Sequence, residues 1–299
     1  MPAAIPVTAD NFIRAETDLY FGNIAKDGGF GKFHHNREPT PVDHQTVLRQ
    51  NRDTLYSGAV FDLDAGPVTI TLPEAGKRFM SMQLFDEDEY TLKVAYGAGQ
   101  HTLTRQGVGT RYAMVALRTL VDANDPKDIE QVHALQDAVK VEQKATGKFE
   151  TPNWDAKSQG EVRDALLKLG ASLADTKRMF GTKDQVDPVR RLIGAATAWG
   201  GNPETEALYL NVTPKQNDGK TVYRLNVNDV PVDGFWSAIV YDAKGYIPKN
   251  ERGVYSFNNI TAKKDADGGV TIQFGGDPAK APNCIPIVPG WNYLVRLYR

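Results

Sequence analysis

Turn signals constrain this chain more than any single motif does. From about residue 46 to 120 each β-prone run is short and is soon closed by a turn. VTITLP (68–73), RFMSMQLF (78–85), YTLKVAYG (90–97) and RYAMVALRTL (111–120) are separated by Pro-Glu-Ala-Gly, by Asp-Glu-Asp-Glu and by glycine-rich stretches. Strands at this spacing predict an antiparallel sandwich or barrel. GAGQHT (97–102) reads as one of the turns. The character changes at Asp122-Ala-Asn-Asp-Pro, where Pro126–Lys144 takes on helical spacing through Ile129, Val132, Leu135 and Val139. Further helices are expected over 161–174 and over 188–199, the last ended by Gly200-Gly201, and a leading helix over 8–24. After Asn202 the β pattern returns in ALYLNV (207–212), TVYRLNV (221–227), FWSAIVYD (235–242), GVYSF (253–257), GVTIQF (269–274) and YLVRLY (293–298), with KQNDGK and DADGG as turns. The expected fold is mainly β. It has an N-terminal β-rich domain over 1–121, a helical connector over 122–201 and a C-terminal β-sandwich over 202–299.

Composition narrows the partners. Basic and acidic side chains nearly cancel, 35 against 37, which gives no reason to expect nucleic acid or an anionic membrane. No apolar run approaches the roughly 18 residues that a membrane span needs. The start, MPAAIPVTADNFIRAE, lacks the basic and apolar regions of an export signal, so cytoplasm is the default compartment. Cys284 is the single cysteine and makes no intrachain disulfide.

The stretch Asn51-Arg52-Asp53-Thr54 opens the run LYSGAVFDL and asks why a strand should begin with four polar side chains. Asn, Asp and Thr side chains tie off the free backbone groups of a turn. The same residues also suit a cleft, with Asp53 as general base and Asn51, Tyr56 and Ser57 as hydrogen-bonding groups. A buried Asp53 needs a partner, and Arg49, Arg52 and Arg296 are the candidates. FHHNREPTPVDH carries His34, His35 and His44 at a spacing that fits no standard metal site, since adjacent residues in an extended segment face opposite ways. FDEDEY (85–90) reads as a solvated hairpin turn, with Asp86 the carboxylate best placed to reach a cleft. In FWSAIVYD, alternation sets Trp236, Ala238 and Val240 on one face and Phe235, Ser237, Ile239 and Tyr241 on the other, which predicts a central strand. No nucleophile elbow, phosphate-binding loop, dinucleotide fingerprint or zinc-protease motif occurs.

Several motifs agree in order with one family. NRDTLYSGAVFDLDAGPVTITLP, DANDPKDIEQVHALQDAVKV with its Leu135-Gln136-Asp137, VDGFWSAIVYDAKGYIPKNERGVYSF (232–257) and NCIPIVPGWNYLVRLYR resemble the two-domain family built from the domains of unknown function twelve-fifty-four and twelve-fourteen. The resemblance covers about 46 to 299. It implies two β-rich, jelly-roll-like domains joined through helices, and it implies no activity. The chain departs from the family in having no export signal, in Cys284 where tryptophan is usual, and in ending at Arg299 without a following proline. The expected site is Asn51, Asp53, Tyr56 and Asp86 for acid/base chemistry of a hydrolytic or lyase type, with Ser57, Trp236, Tyr241 and Arg296 contacting a ligand. A non-catalytic module binding a small molecule or sugar and a structural homo-oligomer are the alternatives. Neither a metal nor a particular cofactor is implied.

Overall fold

The structure, a computed structural model, describes residues 3–45 and 49–299. It contains more strand than helix, in several antiparallel sheets in two regions with helices between. The strand orders do not show the jelly-roll path that the resemblance implied. The expected β-rich stretch was to start near 46; residues 46–48 lie outside the described residues. The chain forms two compact units. One comprises Met1–Arg37, Leu55–Leu120 and Glu130–Glu206, the other Glu38–Thr54, Val121–Ile129 and Ala207–Arg299.

The first unit carries, in chain order, α1 (Phe12–Lys26), β1 (His34–His35), β2 (Thr54–Asp62), β3 (Val68–Leu72), β4 (Met80–Asp86), β5 (Thr91–Tyr96), β6 (Gly99–Leu103), α2 (Arg105–Val108), β7 (Tyr112–Leu120), α3 (Pro126–Asp137), β8 (Lys140–Gln143), α4 (Ala156–Gly170) and α5 (Pro188–Ala198). β2 and α3 begin in segments that belong to the other unit. A five-stranded sheet has the order β1-β2-β7-β4-β5, and a three-stranded sheet the order β6-β3-β8. Ala59 and Phe61 of β2, Val68 and Ile70 of β3, Met82 of β4 and Val115 and Leu117 of β7 share one buried cluster, so the two sheets pack together by their apolar faces. A second cluster joins Phe12 and Ala15 of α1, Leu166 of α4 and Ile193 and Ala195 of α5. The starts of α4 and α5 follow capping chemistry. Asp155 accepts from the Ser158 backbone N–H, and Asp187 accepts from those of Val189 and Arg190, with Pro188 in the first turn.

Three local readings change. The helix expected to reach Lys144 stops at Asp137, and Lys140–Gln143 pairs with β3 instead. GAGQHT turns only at Gly97-Ala98, because Gly99–Leu103 lies antiparallel to the other edge of β3. His34 and His35, expected in a loop, pair with Gly58 and Ser57. In each case a longer strand offers unpaired N–H and C=O groups, and satisfying them outweighs a weak local preference.

The second unit carries β9 (Ala207–Val212), β10 (Tyr223–Val227), β11 (Phe235–Tyr241), β12 (Ser256–Asn258), β13 (Val270–Phe274), β14 (Cys284–Ile285) and β15 (Asn292–Tyr298). Its sheets have the orders β12-β11-β15-β9 and β10-β13-β14, and among the described residues only the β13–β14 pair of this unit is parallel. Trp236, Ala238 and Val240 of β11 pack on Val270, Ile272 and Phe274 of β13, with Ile285 and Trp291. That face of β11 makes the core between the sheets. The opposite face of the four-stranded sheet is mixed, with Ile239, Tyr241 and Leu294 packed on Ile247 in a small apolar cluster and polar residues beside them. Register aligns Asn258, Ser237, Arg296 and Tyr209 in one row across all four strands, and sets Tyr241 beside Asn292.

Candidate functional site

The segment from Arg49 to Thr54 is stitched to the polar residues of that face. Arg49 adopts the left-handed conformation, and its backbone N–H donates to the Gly245 carbonyl. Its guanidinium donates to Asn292 Oδ1 at 3.0 Å and lies 5.6 Å from the Tyr241 ring centroid. The Arg296 guanidinium donates through Nη2 to the Arg49 carbonyl at 2.7 Å and to the Tyr241 hydroxyl oxygen at 2.9 Å. Tyr241 in turn donates to the Gln50 carbonyl at 2.8 Å. Asn51 serves the turn, its Oδ1 accepting from the Asp53 backbone N–H at 2.9 Å and its amide donating to Thr54 Oγ1 at 3.3 Å. This is the Asx-turn role that its side-chain chemistry predicts.

Asp53 does something else. Its side chain is buried, 1% exposed, and Oδ1 accepts from the Asn258 amide at 3.2 Å. Burial pushes its carboxyl up. The Arg296 guanidinium opposes this most, followed by Ser237, Asn258 and Arg52. Arg296 is 3% exposed and is held charged against its own burial by Tyr241 and Asp53. A guanidinium does not lose its proton in a protein. A neutral Asp53 would therefore leave Arg296 buried without a counter-charge, so the pair stands as carboxylate and guanidinium. Of the three arginines that the sequence offered as partners, the charge partner of Asp53 is chiefly the most distant one, Arg296, with Arg52 contributing least of its named neighbours.

Arg52 faces the other way. It lines a cavity of about 340 Å³ with Glu38, Pro39, Pro41, Val42, Asp43, Ala123, Ile129, Lys249 and Tyr255. Its guanidinium lies 5.6 Å from the Tyr255 ring centroid and donates to the Thr40 carbonyl. Burial works against its charge, while Tyr255 and Asp53 favour it. It forms no salt bridge among the described residues. Lys249 meets Asp43 at 3.9 Å with both side chains largely exposed, a geometry that holds neither firmly.

The remaining expected site residues are dispersed. Trp236 lies in the core between the sheets of the second unit, on the face away from Arg296 and Tyr241. Tyr56 lies in the first unit, with the Arg118 guanidinium 5.6 Å from its ring centroid. Ser57 is buried in the same unit, its hydroxyl 2.7 Å from His35 Nδ1 and 3.4 Å from the Gln136 amide. Asp86 closes its turn by accepting from the Asp88 and Tyr90 backbone N–H groups, both at 2.9 Å, and burial pushes it up to about 6. FDEDEY is not the solvated turn expected, since Asp86, Glu87 and Glu89 are all buried. Glu89 accepts from the Gly200 N–H at 3.0 Å, and burial pushes its carboxyl up to about 8. Among the described residues, no group of three or more histidine, cysteine, aspartate or glutamate side chains could hold a metal ion. The alternation in FWSAIVYD pointed toward Ser237 without naming it as a site residue. Nothing in the sequence singled out Asn258, which neighbours it only through strand pairing.

Residues 30–109 match the family described as protein of unknown function (DUF1254), and residues 207–299 match protein of unknown function (DUF1214). No curated protein matches the chain significantly. Among solved structures, the VPA0106 protein from Vibrio parahaemolyticus is similar at 17% identity and a TM-score of 0.72, over 97% of this chain and 92% of that one. A putative uncharacterized protein from Burkholderia cenocepacia is similar at 13% identity and a TM-score of 0.51, over 96% and 82%. At these identities the likeness is one of fold. The two matched segments cover more than half of the residues, and the chain belongs to the family of proteins that carry a DUF1254 and a DUF1214 domain.

Proposed function

We propose that the second unit binds a small molecule that presents an anionic group to Arg52. The observation that carries this reading is the cation itself. Arg52 is half-buried, lies over the Tyr255 ring and lines a cavity of about 340 Å³, with no salt-bridge partner among the described residues. A guanidinium held over an aromatic ring recognises carboxylate or phosphate in the plane of its fork. Exposed Lys249 adds a second positive charge, and Glu38 and Asp43 supply acceptors for hydroxyl or amino groups on the same ligand. Calorimetric titration with benzoate, succinate and inorganic phosphate tests the reading. At least one should bind, and Arg52→Ala should weaken it roughly tenfold or more, about 1.4 kcal/mol. No heat from any of the three, or equal heat from the variant, would remove the proposal.

Acid/base chemistry at Asp53 is the second reading. It is supported by a carboxyl pushed upward beside the Ser237 hydroxyl. On that reading Asp53→Asn abolishes turnover and leaves the melting temperature unchanged. The burial of Asp53 favours binding over catalysis, because a general base must reach the proton that it takes. Self-association would use the free edge of β9, an uncharged strand with Leu208 and Leu210 exposed. Sedimentation of Leu210→Lys beside the parent chain reads this directly, and an unchanged mass would end it.

A further inference from the structure

Three buried polar atoms at Asp53 have no hydrogen-bond partner among the described residues: Asp53 Oδ2, Ser237 Oγ and Arg296 Nη1. They come from different elements and are brought together by register. Ser237 pairs with Arg296 across β11 and β15, and with Asn258 across β11 and β12. Asn258 holds the other oxygen of the same carboxylate at 3.2 Å. Asp53 and Arg296 each favour the other's charge, yet no hydrogen bond joins them directly. Ser237 approaches the carboxylate closely enough to favour its charge, short of a well-formed bond.

The chemistry of the three atoms is complementary to one kind of guest. Arg296 Nη1 only donates, ionised Asp53 Oδ2 only accepts, and the Ser237 hydroxyl does either. A cation would be repelled by the guanidinium, and an anion by the carboxylate. A neutral molecule that both accepts and donates meets all three, and water is the smallest molecule that does so. Internal waters commonly take about three such bonds from groups that otherwise lack partners. A charged pair separated beyond direct contact is a common setting for a bridging water.

We infer that one internal water molecule joins Asp53 Oδ2, Ser237 Oγ and Arg296 Nη1, so that the ion pair fastening Arg49–Thr54 to the sheet is water-mediated. The inference stands apart from any ligand in the Arg52 cavity. A crystal structure of the whole chain at a resolution that defines ordered solvent tests it. The expected result is a single peak about 3 Å from all three atoms. A direct Asp53–Arg296 contact with no density between them overturns it. In solution, magnetisation transfer from long-lived water to the Ser237 or Arg296 protons is the matching expectation, and its absence in an assigned spectrum contradicts the bridge.

Discussion

Asp53 and Arg52 are neighbours in sequence with opposite tasks. Asp53 turns inward to Arg296, Ser237 and Asn258, while Arg52 lines a cavity. The polar run at the head of β2 therefore has two physical causes. Asn51 satisfies the turn, and Asp53 balances a buried guanidinium. Asp53→Asn removes the counter-charge of Arg296 and should cost about 3–5 kcal/mol in urea unfolding. Asn51→Ala should cost only about 1 kcal/mol in the same assay, the scale of a lost turn hydrogen bond. Glu89 supplies a pH-dependent prediction in the first unit. Its folded carboxyl is pushed up to about 8, so the folded state holds that proton more tightly than the unfolded chain does. The stability it contributes is complete below the ordinary carboxylate range and is lost as pH rises through about 8. The slope over that window reaches about 1.4 kcal/mol per pH unit. Glu89→Gln should flatten the fall in unfolding free energy between pH 5 and pH 8, and an unchanged slope would place the titration elsewhere.

At the scale of elements, the strands that carry their own run of β-prone apolar residues were the legible ones. ALYLNV in β9 and YLVRLY in β15 read as strands from their short apolar runs, and β11 from its two apolar faces. β6 and β8 were missed because GQHTL and KVEQ carry little apolar signal of their own, and they become strands by pairing with the two edges of β3. The same limit applies to the site. Asp53, Tyr241 and Arg296 were readable as chemistry-bearing residues, but their meeting depends on a register set over some 200 residues of chain. Turn chemistry was more local, and the KQNDGK turn shows its packing cost. Gly219 has φ +76°, and a Cβ there would lie 2.6 Å from the Pro289 backbone nitrogen. Gly268 has φ +87° with nothing near a Cβ. Gly219→Ala should destabilise by about 2–4 kcal/mol, strain plus backbone displacement, against about 1 kcal/mol for Gly268→Ala. Thermal melts of the two variants would separate packing from φ alone.

At the scale of the whole molecule, two β-rich regions and the helices between them were visible as changes in hydrophobic period along the chain. The sequence motifs by themselves also carry the resemblance to the family. Function was less visible, because Arg52 is an ordinary arginine until the cavity around it is seen. The central claim is the division of work between residues 52 and 53, and melting curves recorded with and without succinate test it most directly. Asp53→Asn should melt well below the parent chain in both conditions. Arg52→Ala should melt near the parent without succinate and lose the succinate-dependent rise that the parent shows. An Asp53→Asn chain that melts like the parent, or an Arg52→Ala chain that keeps the full rise, would contradict the account.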